Sequence, residues 1–131
     1  MDWRPFSLKI QESAENYLES ILKLSQQKGQ VRSIDIVNEL HFKKPSISYA
    51  MKRLRENGYI LMDSAGHITL TDEGRAIAER VYNRHRVLST YLMALGVEES
   101  IARADACRIE HVISQESFDC IKNHAAQLIK N

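Results

Sequence analysis

Apolar residues near the start of the chain recur every three or four positions, the spacing that places them on one face of an α-helix. Within residues 7–27 these positions are Ala14, Tyr17, Leu18, Ile21 and Leu22. At about 100° per residue, Asn16 and Glu19 project roughly opposite this apolar face. The pattern predicts one helix, ended by Gly29, with a packed face and a polar face.

The next segment, VRSIDIVNELHFKKPSISYAMKRLRENGYI, predicts two short helices joined by a tight turn. Ser33 is a suitable N-cap for a helix over residues 34–40. Pro45 suits the first turn of a second helix, which continues over residues 46–57 and is closed by Gly58. Two short helices with this connection form a helix-turn-helix.

Two short strands are predicted after the helix-turn-helix. YILMD and HITLT have the composition of strands, and DSAG has the composition of the turn between them. A helix-turn-helix followed by a hairpin is the plan of a winged helix. We therefore expect residues 1–72 to form a winged helix-turn-helix domain.

The helical pattern returns from Thr71 and continues to Gly96. Its apolar stripe consists of Ile77, Val81, His85, Leu88 and Leu92. Two further helices are predicted over residues 98–114 and 117–129. The order α-α-α-β-β-α-α-α is that of a mainly α fold with a small β-hairpin, in which residues 73–131 form a separate α-helical domain.

Charge is distributed unevenly along a chain whose net charge is only +1. Five basic residues and no acid lie between Lys43 and Arg55, whereas residues 98–119 contain six acids and two bases. This segregation is typical of a phosphate-facing surface and a separate cation-binding region. We expect the second helix of the helix-turn-helix to enter the major groove of double-stranded DNA. The candidate DNA contacts are Arg32, Lys43, Lys44, Pro45, Ser46, Ser48, Tyr49, Lys52 and Arg53.

The sequence leaves other interpretations of this basic segment open. A basic helix face is often simply solvated, and Ser46 could serve as a helix cap. Tyr49 could pack inward against the hairpin instead of facing a partner. The tight turn, the hairpin and the change of charge together favour DNA binding.

The segment ADACRIEHVIS brings a thiol, a carboxylate and an imidazole together. Cys107, Glu110 and His111 stand at i, i+3 and i+4, within about 100° of arc on a helix, with the apolar residues of the segment on the opposing side. These three donor types suit a first-row divalent ion. The alternatives are a polar surface pair of Glu110 and His111 and a Cys107 that packs as a small core residue.

Two other positions bear on a metal site. His85 lies within an apolar stripe, so we expect its imidazole to be buried or half-buried and to need a partner. That partner is a backbone carbonyl, a core carboxylate or a metal ion. Asn16 and Glu19 supply two oxygen donors, for which plain exposure to solvent is the default alternative.

Two cysteines are too few for a disulfide framework, and no segment approaches the roughly 20 apolar residues that span a bilayer. We therefore expect a cytoplasmic protein without a membrane association. In a reducing compartment, a thiol is more often buried, reactive or metal-binding than disulfide-bonded.

The motifs ENYLESI, YNRHRVL and ADACRIEHVIS, together with the winged helix, resemble the metal-dependent repressors related to the diphtheria toxin repressor and the manganese transport regulator. The resemblance covers residues 13–126 in the same order of elements, and C-x-x-E-H after R-H-R is its most specific part. It implies the short, two-domain architecture of the manganese branch and a homodimer that binds operator DNA.

The resemblance also implies a set of metal ligands: Asn16, Glu19, His85, Cys107, Glu110 and His111. Asn16 stands where members carry Met or Asp, and Cys107 is the choice of the iron branch where the manganese branch has Glu. Mn(II) or Fe(II) is the implied metal, and the sulfur donor also suits Co(II), Ni(II) or Zn(II). Such an ion is expected to fix the N-terminal helix relative to the C-terminal half.

The expected function is that of a metal-dependent DNA-binding transcriptional repressor of metal-ion homeostasis, and not that of an enzyme. The main alternative is a winged-helix regulator that responds to a small ligand or to oxidation of Cys107, without metal. A metallohydrolase would need a general base beyond the candidate ligands. A protein-interaction module would have no need for the five clustered bases.

Overall fold

A computed structural model describes the backbone of residues 6–130 and the side chains of residues 12–128. The elements are α1 (Phe6–Lys28), α2 (Ser33–Leu40), α3 (Lys44–Glu56), β1 (Ile60–Met62), β2 (Ile68–Leu70), α4 (Asp72–Ala94), α5 (Glu99–Ile109) and α6 (Gln115–Lys130). Their order is the predicted one. The chain divides into two compact units between Glu79 and Arg80. Among the described residues, none of the helices is both long and apolar enough to span a membrane.

The first unit is a helix-turn-helix built on one apolar core. Ile36 of α2 and Ile47 and Met51 of α3 are buried, as are Leu18 and Ile21 of α1. Buried positions separated by three or four residues keep one face of each helix in the core and leave the other face in solvent. The tight turn between α2 and α3 uses His41, whose φ is +58°, as the left-handed C-cap residue of α2.

The hairpin closes the first unit. Strands β1 and β2 are antiparallel, with Ile60 opposite Leu70 and Met62 opposite Ile68. Ile60 and Ile68 are both buried, so the register turns one face of the ribbon toward the core. An isolated bridge pairs Val31 with Ile68 and ties the connection after α1 to the edge of the hairpin.

The start of α4 packs tightly on the segment between α3 and β1. Thr71 accepts the amide hydrogen bond of Gly74 through Oγ1, as an N-cap residue does, and its hydroxyl donates to the carbonyl of Gly58. A Cβ atom at Gly74 would lie 2.0 Å from the carbonyl oxygen of Tyr59. Only glycine allows the helix to begin this close to the backbone that precedes β1.

The second unit consists of the rest of α4 with α5 and α6. Leu88, Ala106 and Phe118 form its buried cluster, one residue from each helix, and Val87 and Ile121 pack against this cluster. Because each helix contributes a small or apolar residue at the contact, the three helices can approach closely.

Three predicted boundaries were wrong, two of them because of a capping interaction. Arg32, not Ser33, is the N-cap residue of α2, since the Asp35 carboxylate accepts the Arg32 amide at 2.9 Å. Helix α6 begins at Gln115 and not at residue 117, because the Ser114 hydroxyl accepts the amide of Ser117. Helix α5 ends at Ile109 instead of continuing to residue 114.

Candidate metal centre and nucleic-acid interface

Glu110 is the central residue of the candidate metal centre. It follows the last turn of α5 as the C-cap residue, and its relative exposure is only 1%. Ala102 and Ala106 are also buried, and Glu110 continues their face because the three residues are spaced by four. The expectation that the carboxylate lies opposite the apolar face of this segment was therefore wrong.

The Glu110 carboxylate lies between two imidazoles. Nδ1 of His85 is 2.9 Å from Oε2, and Nε2 of His111 is 3.3 Å from Oε1. The three side chains are 16% (His85), 0% (Glu110) and 1% (His111) exposed. The expected half-burial of His85 is confirmed, and its partner in the second unit is a core carboxylate.

The two histidines keep this buried carboxyl ionised. Burial by itself raises the pKa of Glu110, but the imidazoles of His111 and His85 more than offset it, so that the pKa lies below its ordinary value of 4.5. An ionised carboxylate can only accept hydrogen bonds, so His85 donates from Nδ1. A neutral His85 then keeps its lone pair on Nε2, the form in which imidazole binds metals.

The residues of this unit fit a divalent ion. His85 offers Nε2 as a ligand atom because its Nδ1 is held by Oε2 of Glu110, the arrangement in which a carboxylate orients a metal-binding histidine. Oε1 of Glu110 is buried and has no well-aligned hydrogen-bond donor among the side chains that the structure describes. A buried anionic oxygen of this kind has the chemistry of a metal ligand.

The remaining predicted ligands differ in their exposure. Cys107 is exposed on α5 and forms no disulfide, so the alternative that it is a core residue was wrong. On α1 of the first unit, Glu19 is buried at 6% exposure and Asn16 is half-buried. Solvent exposure, the default expectation for Glu19, is therefore wrong. Ligation by these three residues stays a prediction.

The predicted DNA-binding side chains share one exposed surface of the first unit. On α3, Ile47, Met51 and Leu54 face the core. The exposed residues on and before this helix include Lys43, Lys44, Pro45, Ser46, Ser48, Tyr49, Lys52 and Arg53. Tyr49 is 64% exposed, so the alternative in which it packs inward was wrong. This surface carries basic, hydroxyl and aromatic groups, the types that contact phosphates and base edges.

Arg32 is also exposed. Its backbone is held by the carboxylate of Asp35, a residue that the sequence analysis did not identify. Asp35 accepts the Arg32 amide and pairs with Lys28 at the end of α1. The Lys28 ammonium and then the Arg32 amide lower the pKa of Asp35. An Asp three residues after an N-cap position is a recognisable signal of this arrangement.

The turn of the hairpin is organised by another missed residue, Asp63. Its Oδ1 accepts the amides of Ala65 and His67, and its Oδ2 lies 3.2 Å from Nδ1 of His67. These hydrogen bonds lower the pKa of Asp63, with the His67 amide as the largest cause. The signal was present in the sequence, since Asp readily forms such side-chain turns.

The fold and the buried donors define a winged-helix protein with a candidate metal centre in a helical second unit. Residues 9–68 match the family model "Iron dependent repressor, N-terminal DNA binding domain", and residues 71–129 match "Iron dependent repressor, metal binding and dimerisation domain". The chain belongs to the iron-dependent repressor family.

Similar proteins include the transcriptional regulator MntR of Salmonella typhimurium, which is 35% identical over 108 residues, covering 82% of this chain and 69% of that protein. MntR of Escherichia coli O157:H7 is 33% identical over 111 residues, covering 85% of this chain and 72% of that protein. Both are named as transcriptional regulators.

Solved structures share the fold. A manganese-dependent transcriptional repressor in complex with manganese has a TM-score of 0.77 and 26% identity over 86% of this chain and 52% of that chain. The manganese regulator SloR has a TM-score of 0.77 at 24% identity over 86% of this chain. The chain spans about half the length of these solved proteins, 53% in the case of SloR.

Proposed function

We propose that this chain is a metal-dependent, DNA-binding transcriptional repressor of metal-ion homeostasis, activated for operator binding by a divalent metal ion. The single observation that carries the proposal is the ionised carboxylate of Glu110, buried between His85 and His111. Burying a charge is costly unless it is paired or serves as a ligand. A carboxylate with two imidazoles is a donor set for a first-row divalent ion.

The ligand set that we propose is larger than these three residues. It includes Glu19, Asn16 and Cys107, on the grounds of their donor types and of the family resemblance. When bound, the ion would supply positive charge that offsets the carboxylates. Mn(II) and Fe(II) are the favoured metals, and an exposed thiolate at Cys107 would favour Fe(II), Co(II), Ni(II) or Zn(II) over Mn(II).

The DNA-binding part of the proposal is supported by the exposed surface of α3. Lys52 and Arg53 lie in solvent on the side of the helix opposite its buried residues, where they can contact phosphates. Ser48 and Tyr49 are exposed closer to the start of the helix, where side chains of a recognition helix meet base edges. Arg32 is exposed at the start of α2, and we propose that it contacts a further phosphate.

We propose that metal binding is coupled to DNA binding because the ion orders the protein. A coupling free energy of about one to three kcal/mol changes the DNA affinity roughly 5- to 150-fold. Linkage then requires the operator to tighten metal binding by the same factor. We also propose a homodimer, since two half-sites on one face of DNA need two recognition helices, and a cytoplasmic location, where the DNA of a bacterial regulator is found.

The proposal is tested by calorimetric titration of chelator-treated protein with Mn(II), Fe(II), Co(II) and Zn(II), each with and without DNA. The DNA is a fragment selected from a random pool by the metal-loaded protein. We expect at least one metal to bind more tightly in the presence of this DNA, and the DNA to bind more tightly with that metal by the same factor.

Equal DNA affinity of the chelated and metal-loaded protein, at matched ionic strength, would contradict the proposal. DNA binding that is insensitive to chelators but changes with peroxide would support the alternative, a regulator controlled by oxidation of the exposed Cys107. Replacement of Glu110 by Gln separates the two, because it would remove a metal response and leave a peroxide response of Cys107 in place.

A further inference from the structure

Arg84 makes an unusual set of contacts one residue before the candidate ligand His85. Its Nη1 donates to the backbone carbonyls of Glu110, at 3.2 Å, and Ile113, at 3.0 Å. Its Nη2 donates to Oε1 of Gln115 at 2.9 Å. The guanidinium thus joins α4 to the turn between α5 and α6 at two points and to the first residue of α6 at a third.

These contacts satisfy the carbonyls of the C-cap residue of α5 and of the turn that follows it. The last carbonyls of a helix have no partner within it and need a side chain, water or a capping turn. Here the peptide after Ile109 leaves the helix, and the amides of Val112 and Ile113 fold back onto the Ile109 carbonyl. Arg84 supplies the donors for the carbonyls of Glu110 and Ile113.

The guanidinium is held in place from its other side as well. Its carbon lies 5.4 Å from the centre of the Phe118 ring, within the range of a cation–π contact. The ring belongs to the buried cluster of the second unit. The arginine side chain is planar and always charged, so it can stack on a ring while it donates several hydrogen bonds. Lysine is a poor substitute in this role.

We propose that Arg84 is a positioning residue for the metal centre: it holds the backbone of Glu110 while His85, its neighbour in α4, holds the side chain of the same residue. This inference rests on the proposed function. Fixing the peptide of Glu110 from α4 sets where the carboxylate and the adjacent His111 lie before a cation arrives. Loss of such an outer contact typically weakens metal binding by 10- to 100-fold.

The test uses Arg84→Gln, with Arg84→Lys as the conservative variant and Arg86→Gln as the matched control. Arg86 is an exposed arginine on the same helix, and its guanidinium lies over the ring of Tyr82. Two quantities are measured in the full chain: amide hydrogen exchange without metal, and the dissociation constant for Co(II) from its visible absorption.

We expect Arg84→Gln to raise the Co(II) dissociation constant by about 10- to 100-fold. In the metal-free protein, exchange of the Val112 and Ile113 amides should become about tenfold faster or more, while that of Ala106 within α5 stays unchanged. Arg84→Lys should recover part of the loss, and Arg86→Gln should change neither quantity. A purely structural role would accelerate exchange throughout α5.

Unchanged exchange of Val112 and Ile113 in Arg84→Gln would overturn the inference, as would unchanged Co(II) affinity in a protein that binds Co(II). If the wild-type protein binds no metal, the proposed function fails, but exchange in the metal-free chain still decides whether Arg84 holds the turn. Should Arg84→Gln not fold, Gln115→Ala removes one hydrogen bond and should weaken Co(II) roughly two- to tenfold. No change there would overturn the inference.

Discussion

Nδ1 of His85 lies 2.9 Å from Oε2 of Glu110, so a residue in the middle of α4 holds the carboxylate at the end of α5. Water has little access to this hydrogen bond, since the Glu110 side chain is fully buried and that of His85 is 16% exposed. The negative charge of Glu110 is therefore stabilised by His85 and His111 and not by solvent.

Replacing Glu110 by Gln should weaken Mn(II) and Co(II) binding by more than about 100-fold, because it removes the charged donor while keeping the size of the side chain. Binding is measured by calorimetry on chelator-treated protein. The matched control is Glu116→Gln, an exposed acid on α6, which should bind both metals as the wild type does. Equal affinities in the two variants would remove Glu110 from the site.

The stability of the metal-free protein should fall in acid because of Glu110. Its pKa is lowered in the folded state, so its contribution to the free energy of unfolding is present above about 4.5, the ordinary value, and is lost as the pH falls through the folded-state pKa. Urea unfolding of the wild type and of Glu110→Gln at several pH values measures this. Below pH 4.5 the wild type should lose stability more steeply, and parallel curves would speak against an ionised Glu110.

Lys52→Ala should weaken binding to all DNA sequences by a similar factor, because we expect this exposed lysine of α3 to contact phosphates and not bases. The slope of log affinity against log salt concentration should become shallower by about 1. Binding of selected and unrelated DNA is followed by fluorescence anisotropy over a salt series. Lys122→Ala, an exposed lysine of α6, is the control and should leave the slope unchanged. A loss confined to the selected sequence would indicate base readout by Lys52 instead.

Gly74→Ala should destabilise the protein by about 2 kcal/mol or more, because the added Cβ meets the Tyr59 carbonyl oxygen at 2.0 Å. In an ordinary helix position the same change is stabilising by about 0.5–1 kcal/mol, so the sign of the effect is diagnostic. Chemical unfolding measures it. As a control, Ala76→Gly, at an exposed position of the same helix, should cost about 1 kcal/mol at most. A stabilised Gly74→Ala variant would show that α4 can move away from Tyr59.

Helix ends and side-chain exposure mark the limit of what local patterns predict. The apolar spacing identified every helix and both strands, because each element has to bury one face. It misplaced the end of α5, where the backbone carbonyl of Glu110 accepts a hydrogen bond from Arg84, 26 residues earlier. It also assigned Glu110 to the wrong side of α5, because the polarity of a side chain was taken as a sign of exposure.

The sequence alone determined the order of elements, the basic helix and the identity of the candidate donors, because periodicity, charge and residue type are local properties of a chain. Only the tertiary structure decided that Glu110 is buried, that His85 and His111 are its partners, and that Arg84 holds its peptide. Burial and hydrogen bonding between α4 and α5 arise from packing of residues far apart in sequence, and packing decides which polar groups lose water. The sequence pattern alone does not show which polar groups are buried.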